Sequence, residues 1–357
     1  MSVFRRLDGH EQVVFGHDAA SGLRCIIAIH STQLGPALGG TRMYPYASEE
    51  DALEDVLRLS EGMTYKAACA GLDLGGGKAV IIGDPATDKS EALLRAYGRI
   101  VESLNGRYVT ACDVGTSPAD LALVGRETRW ATGGPLVEGG SGDSGIMTAW
   151  GVYLGVRATA KAVFGTPDLT DRHVSVLGLG KVGGRLAQHV LDNGGRVTVA
   201  DINAAAVAAF AGQDRVSVVS VDELPYVEAD ILSPNALGGL LTDELVGQLR
   251  VQAICGGANN QLATDEVGER LHEAGIVYAP DFVVNAGGLI SVSDELHPDG
   301  FSEQRVKHRA NQIDDTLQEI FAEATEAQVP TGAAAITVAR RRMARVGGLR
   351  GMWLPAR

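Results

Sequence analysis

HVSVLGLGKVGGRLAQHVLDNGGRVTVAD, residues 173–201, is the stretch whose reading settles the fold class. An apolar run, His173 to Leu177, meets Gly178-Leu179-Gly180-Lys181-Val182-Gly183; a helix-forming segment reaches Leu191; a β-branched run, Arg196 to Ala200, then ends at Asp201. Strand, G-x-G-x-x-G, helix, strand and acid, in that order, form the dinucleotide fingerprint in its full context. The first glycine makes the tight turn, the second lets a pyrophosphate reach the backbone, and the third lets helix and strand pack closely. The helix N-terminus offers amides and partial positive charge to phosphate. Asp201 is placed to accept hydrogen bonds from an adenine ribose, and its charge opposes a 2′-phosphate, so NAD is expected rather than NADP. Gly178, Gly180, Lys181, Val182, Gly183, Asp201 and Ile202 are the expected contacts.

Downstream, strands are expected at 229–232, 251–255 and 276–279 with helices between them, an alternation that means a parallel sheet. Each ends in small or amide-rich sequence: Ser233-Pro234-Asn235-Ala236, Gly256-Gly257-Ala258-Asn259-Asn260 and Asn285-Ala286-Gly287-Gly288. One asparagine at a strand end is commonly a turn residue. Three such clusters on one sheet edge point instead to nicotinamide and substrate. A helix over 302–325 and a shorter one after Pro330 complete the chain.

Upstream, strands are expected at 12–17 and 24–30, and STQLGPALGGTRMYP (31–45), dense in glycine and proline, reads as a loop. A helix starts near Ser48, where Ser48-Glu49-Glu50-Asp51 resembles a capping box. Further helices are expected from Ser90 to Leu104 and from Pro118 to Gly125. Between them Tyr108 to Cys112 reads as a strand delivering Asp113 at its C-terminal end, where functional residues of α/β sheets collect. The Gly-, Ser- and Asp-rich run from Gly133 to Gly145 marks a domain boundary, and a long helix follows to Phe164. The expectation is an α/β protein of two domains. One covers residues 1–140 and is completed by 328–357; the other, a dinucleotide-binding domain, covers 141–327.

Two lysines stand out in MTYKAACAGLDLGGGKAVII (63–82). Lys66 precedes small residues suited to a closely packed helix, and Lys78 leaves three glycines and enters an apolar strand. Burying an ammonium costs several kcal/mol unless it is paired. One such lysine could snorkel to water from an element end. Two of them flanking one glycine-rich turn, with a nucleotide motif downstream, mark the chemistry.

Composition narrows the field. A chain of 357 residues, 45% hydrophobic and 21% charged, has room for two domains with large cores. The net charge of −13 argues against nucleic acid as a partner. Arg340, Arg341, Arg342 and Arg345 read as a solvated or subunit-facing side of the last helix. No run of about 18 apolar residues is long enough to span a membrane. Arg5 and Arg6 are followed by Asp8, His10 and Glu11, where a signal peptide needs an apolar core. Cys25, Cys69, Cys112 and Cys255 are scattered without metal-ligand spacing, and read as reduced residues of a cytoplasmic protein that binds no metal. Cys112 adjoins Asp113 but has no His-Asn partnership to make it a nucleophile.

Taken together, LGPALGGTR (34–42), MTYKAACAGLDLGGGKAVIIGDP (63–85), TACDVGT (110–116), the 178–183 fingerprint, GGANNQL (256–262) and YAPDFVVNAGGLI (278–290) resemble the glutamate/leucine/phenylalanine/valine dehydrogenases over nearly the whole chain. The resemblance implies an N-terminal α/β substrate domain with a mixed sheet, a Rossmann domain, a cleft between them that closes on substrate, and a homo-oligomer. It implies oxidative deamination of an L-amino acid to a 2-oxo acid and ammonia with NAD(P)+. Lys66 matches the lysine that binds the α-carboxylate, Lys78 the catalytic lysine and Asp113 the catalytic aspartate. Asn260 and Asn285 match asparagines near substrate and nicotinamide. Gly40 joins the substrate contacts, and Asn235, Ala258 and Asn259 the cofactor contacts. Burial beside a second cation favours the neutral amine that a base needs at Lys78. Water activated there attacks the iminium left by hydride loss, and Asp113 carries protons as ammonia departs.

The glutamate enzymes carry a lysine where this chain has Leu38, and a serine that, without gaps, aligns with Val292. Walls made of Leu38, Met63, Ala111, Leu289 and Val292 would leave a buried side-chain carboxylate without a partner, at several kcal/mol. Glutamate is therefore disfavoured. Leu38 and Ala111 resemble the leucine/valine pattern, phenylalanine-specific members being smaller at the Leu38 position, so a branched-chain substrate is expected. Leucine, isoleucine and valine are separated by only about 1–3 kcal/mol per methylene. The alternatives are a phenylalanine or other apolar amino acid dehydrogenase and a catalytically silent NAD-binding sensor.

Overall fold

The computed structural model of the chain describes residue 7 and residues 9–348. The chain divides into two compact units. The first runs through Asp143 and takes back Ser291–Glu303 and the chain from Ala339 onward; the second is Ser144–Ile290 with Gln304–Val338.

The first unit is built on a mixed five-stranded sheet, ordered β1-β2-β4-β3-β5. Its strands are β1 (Gln12–Asp18), β2 (Leu23–Ser31), β3 (Ala37–Tyr44), β4 (Gly75–Ile82) and β5 (Tyr108–Cys112). β2 pairs antiparallel with β1 and β4, whereas β3 lies parallel to β4 and β5. β2 is a continuous apolar run because both of its faces are covered. Ile26 and Ala28, with Val80, meet Ala52, Leu53, Val56 and Leu57 of helix Glu49–Cys69. Cys25, Ile27 and Ile29 meet Leu93, Leu94, Tyr97 and Val101 of helix Glu91–Ser103 on the other side. Each buried Ile or Leu contributes about 1.5–3 kcal/mol. The Ser48 side chain accepts a bond from the Asp51 amide, and a full reciprocal capping box forms at Ser117 and Asp120.

The segment read as a loop, residues 31–45, contains β3. Its glycines serve close strand approach, not turning. A Cβ on Gly39 would lie 1.7 Å from the Gly77 carbonyl oxygen, and one on Gly40 would lie 2.5 Å from that of Cys112.

The second unit carries a six-stranded parallel sheet, ordered β11-β10-β9-β6-β7-β8. The strands are β6 (His173–Leu177), β7 (Arg196–Ala200), β8 (Val216–Val218), β9 (Ile231–Pro234), β10 (Ala253–Ile254) and β11 (Val277–Tyr278). β8 carries no strong apolar pattern and was not expected. Strand order reverses on either side of β6, the switch point at which such sheets bind ligands. The helix expected over 302–325 is two, Glu303–Ala310 and Gln312–Ala327, divided at Asn311, whose side chain accepts a bond from Trp150 Nε1 at 3.0 Å.

The unit boundaries depart from the expected 140/141 and 327/328. Ser291–Glu303 belongs to the first unit because Glu295 answers amides there: its carboxylate accepts from Gly133 at 2.9 Å and Ser141 at 2.7 Å. Helix Thr331–Gly347 changes units at Val338/Ala339. Beyond that point Arg340 donates to the Tyr65 hydroxyl at 3.1 Å and Arg342 to the Gly71 carbonyl at 2.9 Å. These two arginines, read as solvated or subunit-facing, hold the helix from Ala339 onward to the first unit. Arg5, Arg6 and Asp8, and residues 349–357 of the expected completing segment, lie outside the described residues. Among the described residues no helix is long and apolar enough to cross a membrane.

Candidate active site

Register puts the substrate-side residues of the first unit on one face. Leu38 pairs with Gly76 and Val109, Gly40 with Ala111, and Arg42 with Val80. Side chains alternate along a strand, and paired residues of neighbouring strands project to the same side. Leu38, Gly40 and Arg42 therefore share a face with Lys78, Ala111 and, just past the end of β5, Asp113. Helix Glu49–Cys69 covers that face. A Cβ on Gly76 would lie 2.1 Å from the Thr64 nitrogen, so glycine is what lets the helix rest on β4. Lys66 follows Thr64 in the last turn of the helix, and Lys78 follows Gly76 along the strand.

Lys78 is 7% exposed. Its Nζ lies 2.5 Å from Asp113 Oδ2, so the buried ammonium has the partner that burial demands. Arg42 Nε lies 3.4 Å from the same oxygen. The other end of the Arg42 guanidinium donates to Asp55 Oδ2 at 2.9 Å. Asp55 also accepts from the Tyr46 hydroxyl at 2.6 Å and from Arg58 at 2.9 Å. The Asp113 amide donates to Thr116 Oγ1 at 2.9 Å, and that hydroxyl donates to the Thr41 carbonyl at 2.8 Å. Burial pushes the Asp113 carboxyl up, but the Lys78 and Arg42 cations outweigh it and hold the group below the usual carboxylate range.

Leu38 and Ala111 are buried and Met63 half-buried. A Cβ on Gly133 would lie 3.7 Å from both Val292 Cγ1 and Cys112 Sγ, which puts Val292 beside the end of β5. Burial pushes the Cys112 thiol up to about 12, leaving no thiolate for nucleophilic work. Leu289 and Asn260, expected with this group, are carried by the second unit.

There the fingerprint glycines divide by cause. Gly178 has φ +93°, which favours glycine, and its Cβ would also crowd the Ala236 nitrogen at 2.9 Å. A Cβ on Gly183 would fall 1.9 Å from the Gly178 carbonyl oxygen. On Gly180 it would meet no atom within 4 Å, so neither fold nor φ asks for glycine there. Helix Gly183–Asp192 begins at Val182 without a side-chain cap, leaving first-turn amides for an anion. Asp201 accepts from the amides of Leu179 and Asn203, which fixes its carboxylate at the tip of β7. Lys181 is exposed, and Ile202, which follows Asp201, is 92% exposed, an apolar surface beside that carboxylate.

Asn235 ties two strand ends together, donating to the Ser233 carbonyl and accepting from the Gly257 amide, each at 2.9 Å. Asn285 donates to Asn259 Oδ1 at 2.7 Å, while its own Oδ1 is buried without a partner. A buried acceptor left open in this way fits a carboxamide N–H. Ala258 is buried; Asn259 and Asn260 are exposed, Asn260 with φ +52°. These features fit a dinucleotide.

The relatives agree. Residues 10–130 match the model described as "Glu/Leu/Phe/Val dehydrogenase, dimerisation domain", and residues 203–351 match "Glutamate/Leucine/Phenylalanine/Valine dehydrogenase". The chain belongs to the glutamate/leucine/phenylalanine/valine dehydrogenase family. It is 55% identical to the valine dehydrogenase of Streptomyces coelicolor over 94% of this chain and 93% of that one. It is 48% identical to the leucine dehydrogenase of Geobacillus stearothermophilus over 96% and 94%. The crystal structure of L-tryptophan dehydrogenase from Nostoc punctiforme superposes with a TM-score of 0.87 at 40% identity, covering 97% of this chain and 99% of that one. The chain is an amino acid dehydrogenase, an oxidoreductase.

Two features of this dehydrogenase escaped the sequence reading. Arg42 stood inside a quoted motif, but its partners Asp55 and Asp113 are remote in sequence and nothing local joins them. Gln261 is wholly buried and donates to the carbonyls of Gly256 (2.6 Å) and Ala258 (3.0 Å), so it shapes the loop that presents Ala258 to Asn260. The apolar Leu262-Ala263 directly after it was the available signal.

Proposed function

We propose that this dehydrogenase reversibly converts a branched-chain aliphatic L-amino acid (leucine, valine or isoleucine) to its 2-oxo acid and ammonia, with NAD+ as oxidant. The observation that carries this reading is the buried Lys78–Asp113 pair on a face otherwise walled by Leu38 and Ala111. Lys66 holds the substrate α-carboxylate, and Gly40 keeps the floor clear. Leu38, Met63, Ala111, Leu289 and Val292 take the side chain, and Asn260 assists at the substrate. Glutamate is disfavoured because none of these five side-chain contacts can pair its second carboxylate.

When bound, the nicotinamide supplies a hydride acceptor for Cα. Water then adds to the resulting iminium carbon while Lys78 takes the water proton. Lys78 passes that proton through Asp113 to the carbinolamine nitrogen and then takes the hydroxyl proton as the C–N bond breaks, so that ammonia leaves as the carbonyl forms. Lys78 begins paired with Asp113, so the pair must first release a proton for Lys78 to act as base. Gly178, Gly180, Lys181, Val182 and Gly183 would hold the pyrophosphate, Asp201 and Ile202 the adenosine end, and Asn235, Ala258, Asn259 and Asn285 the nicotinamide end. The proposed setting is a cytoplasmic homo-oligomer, in keeping with the dimerisation domain of the family.

The deciding experiment compares kcat/KM for L-leucine, L-valine and L-phenylalanine with NAD+, followed at 340 nm. Phenylalanine ahead of both aliphatic substrates would favour the aromatic alternative. Absence of any signal across a broad amino acid panel would favour the silent sensor. For the cofactor, Asp201→Ser together with an introduced neighbouring Arg should relax preference towards NADP+. An unchanged preference would mean that another residue reads the ribose.

A further inference from the structure

Asp113 faces two cations, and only one of them belongs to the proton chemistry above. Arg42 reaches the same carboxylate oxygen as Lys78, at 3.4 Å against 2.5 Å. Its Nε is buried and without a hydrogen bond, so the guanidinium is held there from its far side. Asp55 does the holding: it binds Arg42 at 2.9 Å while Tyr46 and Arg58 fix its two oxygens. A clamp of this kind fixes one charge in one place, which a mobile surface arginine does not do.

We propose that Arg42 is a positioning residue that weakens the hold of Asp113 on a proton and so decides which member of the Lys78–Asp113 pair keeps the shared proton between transfers. When Lys78 is neutral and ready to take a proton from water, Asp113 has lost its nearer cation. Without Arg42, a desolvated Asp113 then competes for the proton and holds it too tightly to pass it on as ammonia departs. With Arg42 in place the carboxylate keeps a counter-charge at both stages. Of the other titratable groups, Tyr108 and Cys112 on β5 feel the Asp113 charge and are pushed up to about 12, neutral in the working range, and Lys66 stands on the helix that covers this face. Lys78 and Arg42 are the cations that lower Asp113 itself, and Asp55 is the anion competing for Arg42.

The inference rests on Asp113 as proton carrier, so Asp113→Asn is measured beside it. Near-normal turnover in Asp113→Asn removes the underlying assignment and this inference with it. A dead Asp113→Asn leaves Arg42 to be tested alone. The test is the pH profile of kcat with saturating substrate and NAD+. Arg42→Gln should move the acid limb up by about one pH unit or more, with KM for NAD+ unchanged, and Arg42→Lys should move it back towards wild type. An Arg42→Gln limb lying on the wild-type limb overturns the proposal, even if kcat is lower, since a purely structural loss changes amplitude and not position. Should Arg42→Gln fail to fold, Asp55→Ala decides: it removes the clamp on Arg42, so the limb should move up as in Arg42→Gln, and a limb unmoved or lowered overturns the proposal.

Discussion

Gly40 and Asp113 confront each other across neighbouring strands: a Cβ on Gly40 would lie 2.9 Å from Asp113 Cβ and 2.5 Å from the Cys112 carbonyl oxygen. The second neighbour is backbone and cannot swing away. Gly40→Ala should therefore push the end of β5 outward and carry the Asp113 carboxylate off Lys78. A misplacement of about 1 Å at reacting groups can lower turnover about a hundredfold, and overpacking costs about 1–3 kcal/mol. Wild-type kcat in Gly40→Ala would show that the position of Asp113 does not depend on this contact.

The fingerprint glycines separate binding from folding. Gly180→Ala meets no protein atom, so its melting temperature should match wild type while NADH affinity falls at least about tenfold, or about 1.4 kcal/mol. Gly183→Ala strikes the Gly178 carbonyl and should lower the melting temperature as well. NADH fluorescence titration and calorimetry read both. Undiminished NADH affinity in Gly180→Ala would take the phosphates away from this loop.

Lys78→Ala should lower kcat by about a hundredfold to ten-thousandfold, the range of general acid–base catalysis, while NAD+ still binds. Asp113 keeps Arg42 as counter-charge in that variant, so the fold should survive. Near-normal turnover would strip Lys78 of its role.

His30 predicts an acid-sensitive fold. Its ring is buried, its Nδ1 lies 2.8 Å from Thr64 Oγ1, and the His10 ring stands 4.9 Å away. Burial, then His10, push the His30 imidazole down to about 4, with Arg340 adding to the shift and Glu61 and Glu11 opposing it. The unfolded chain takes up that proton near the ordinary 6.5, the folded one only near 4. The associated stability is complete above about pH 6.5 and is lost as pH falls from there towards 4, up to about 3 kcal/mol. Melting temperature should fall more steeply over that window in the wild type than in His30→Gln. Parallel curves would assign the acid sensitivity elsewhere.

The sequence by itself determined what rests on short-range pattern. The fingerprint at 178–183, its flanking strands and Asp201 lie within one stretch whose glycines and β-branched residues specify their own backbone. The isolation of Lys66 and Lys78 in apolar sequence was visible for the same reason, since an ammonium without polar neighbours is conspicuous. Tertiary structure alone decided that Leu34 to Tyr44 contains a strand. Gly39 and Gly40 look locally like turn residues, and only the carbonyls of Gly77 and Cys112 show why no side chain fits. It alone joined Arg42 to Asp113 and Asp55, and Glu295 to the amides of Gly133 and Ser141. Electrostatic partners are chosen by proximity in space, and sheet register and chain return create that proximity without leaving a mark in the residues between.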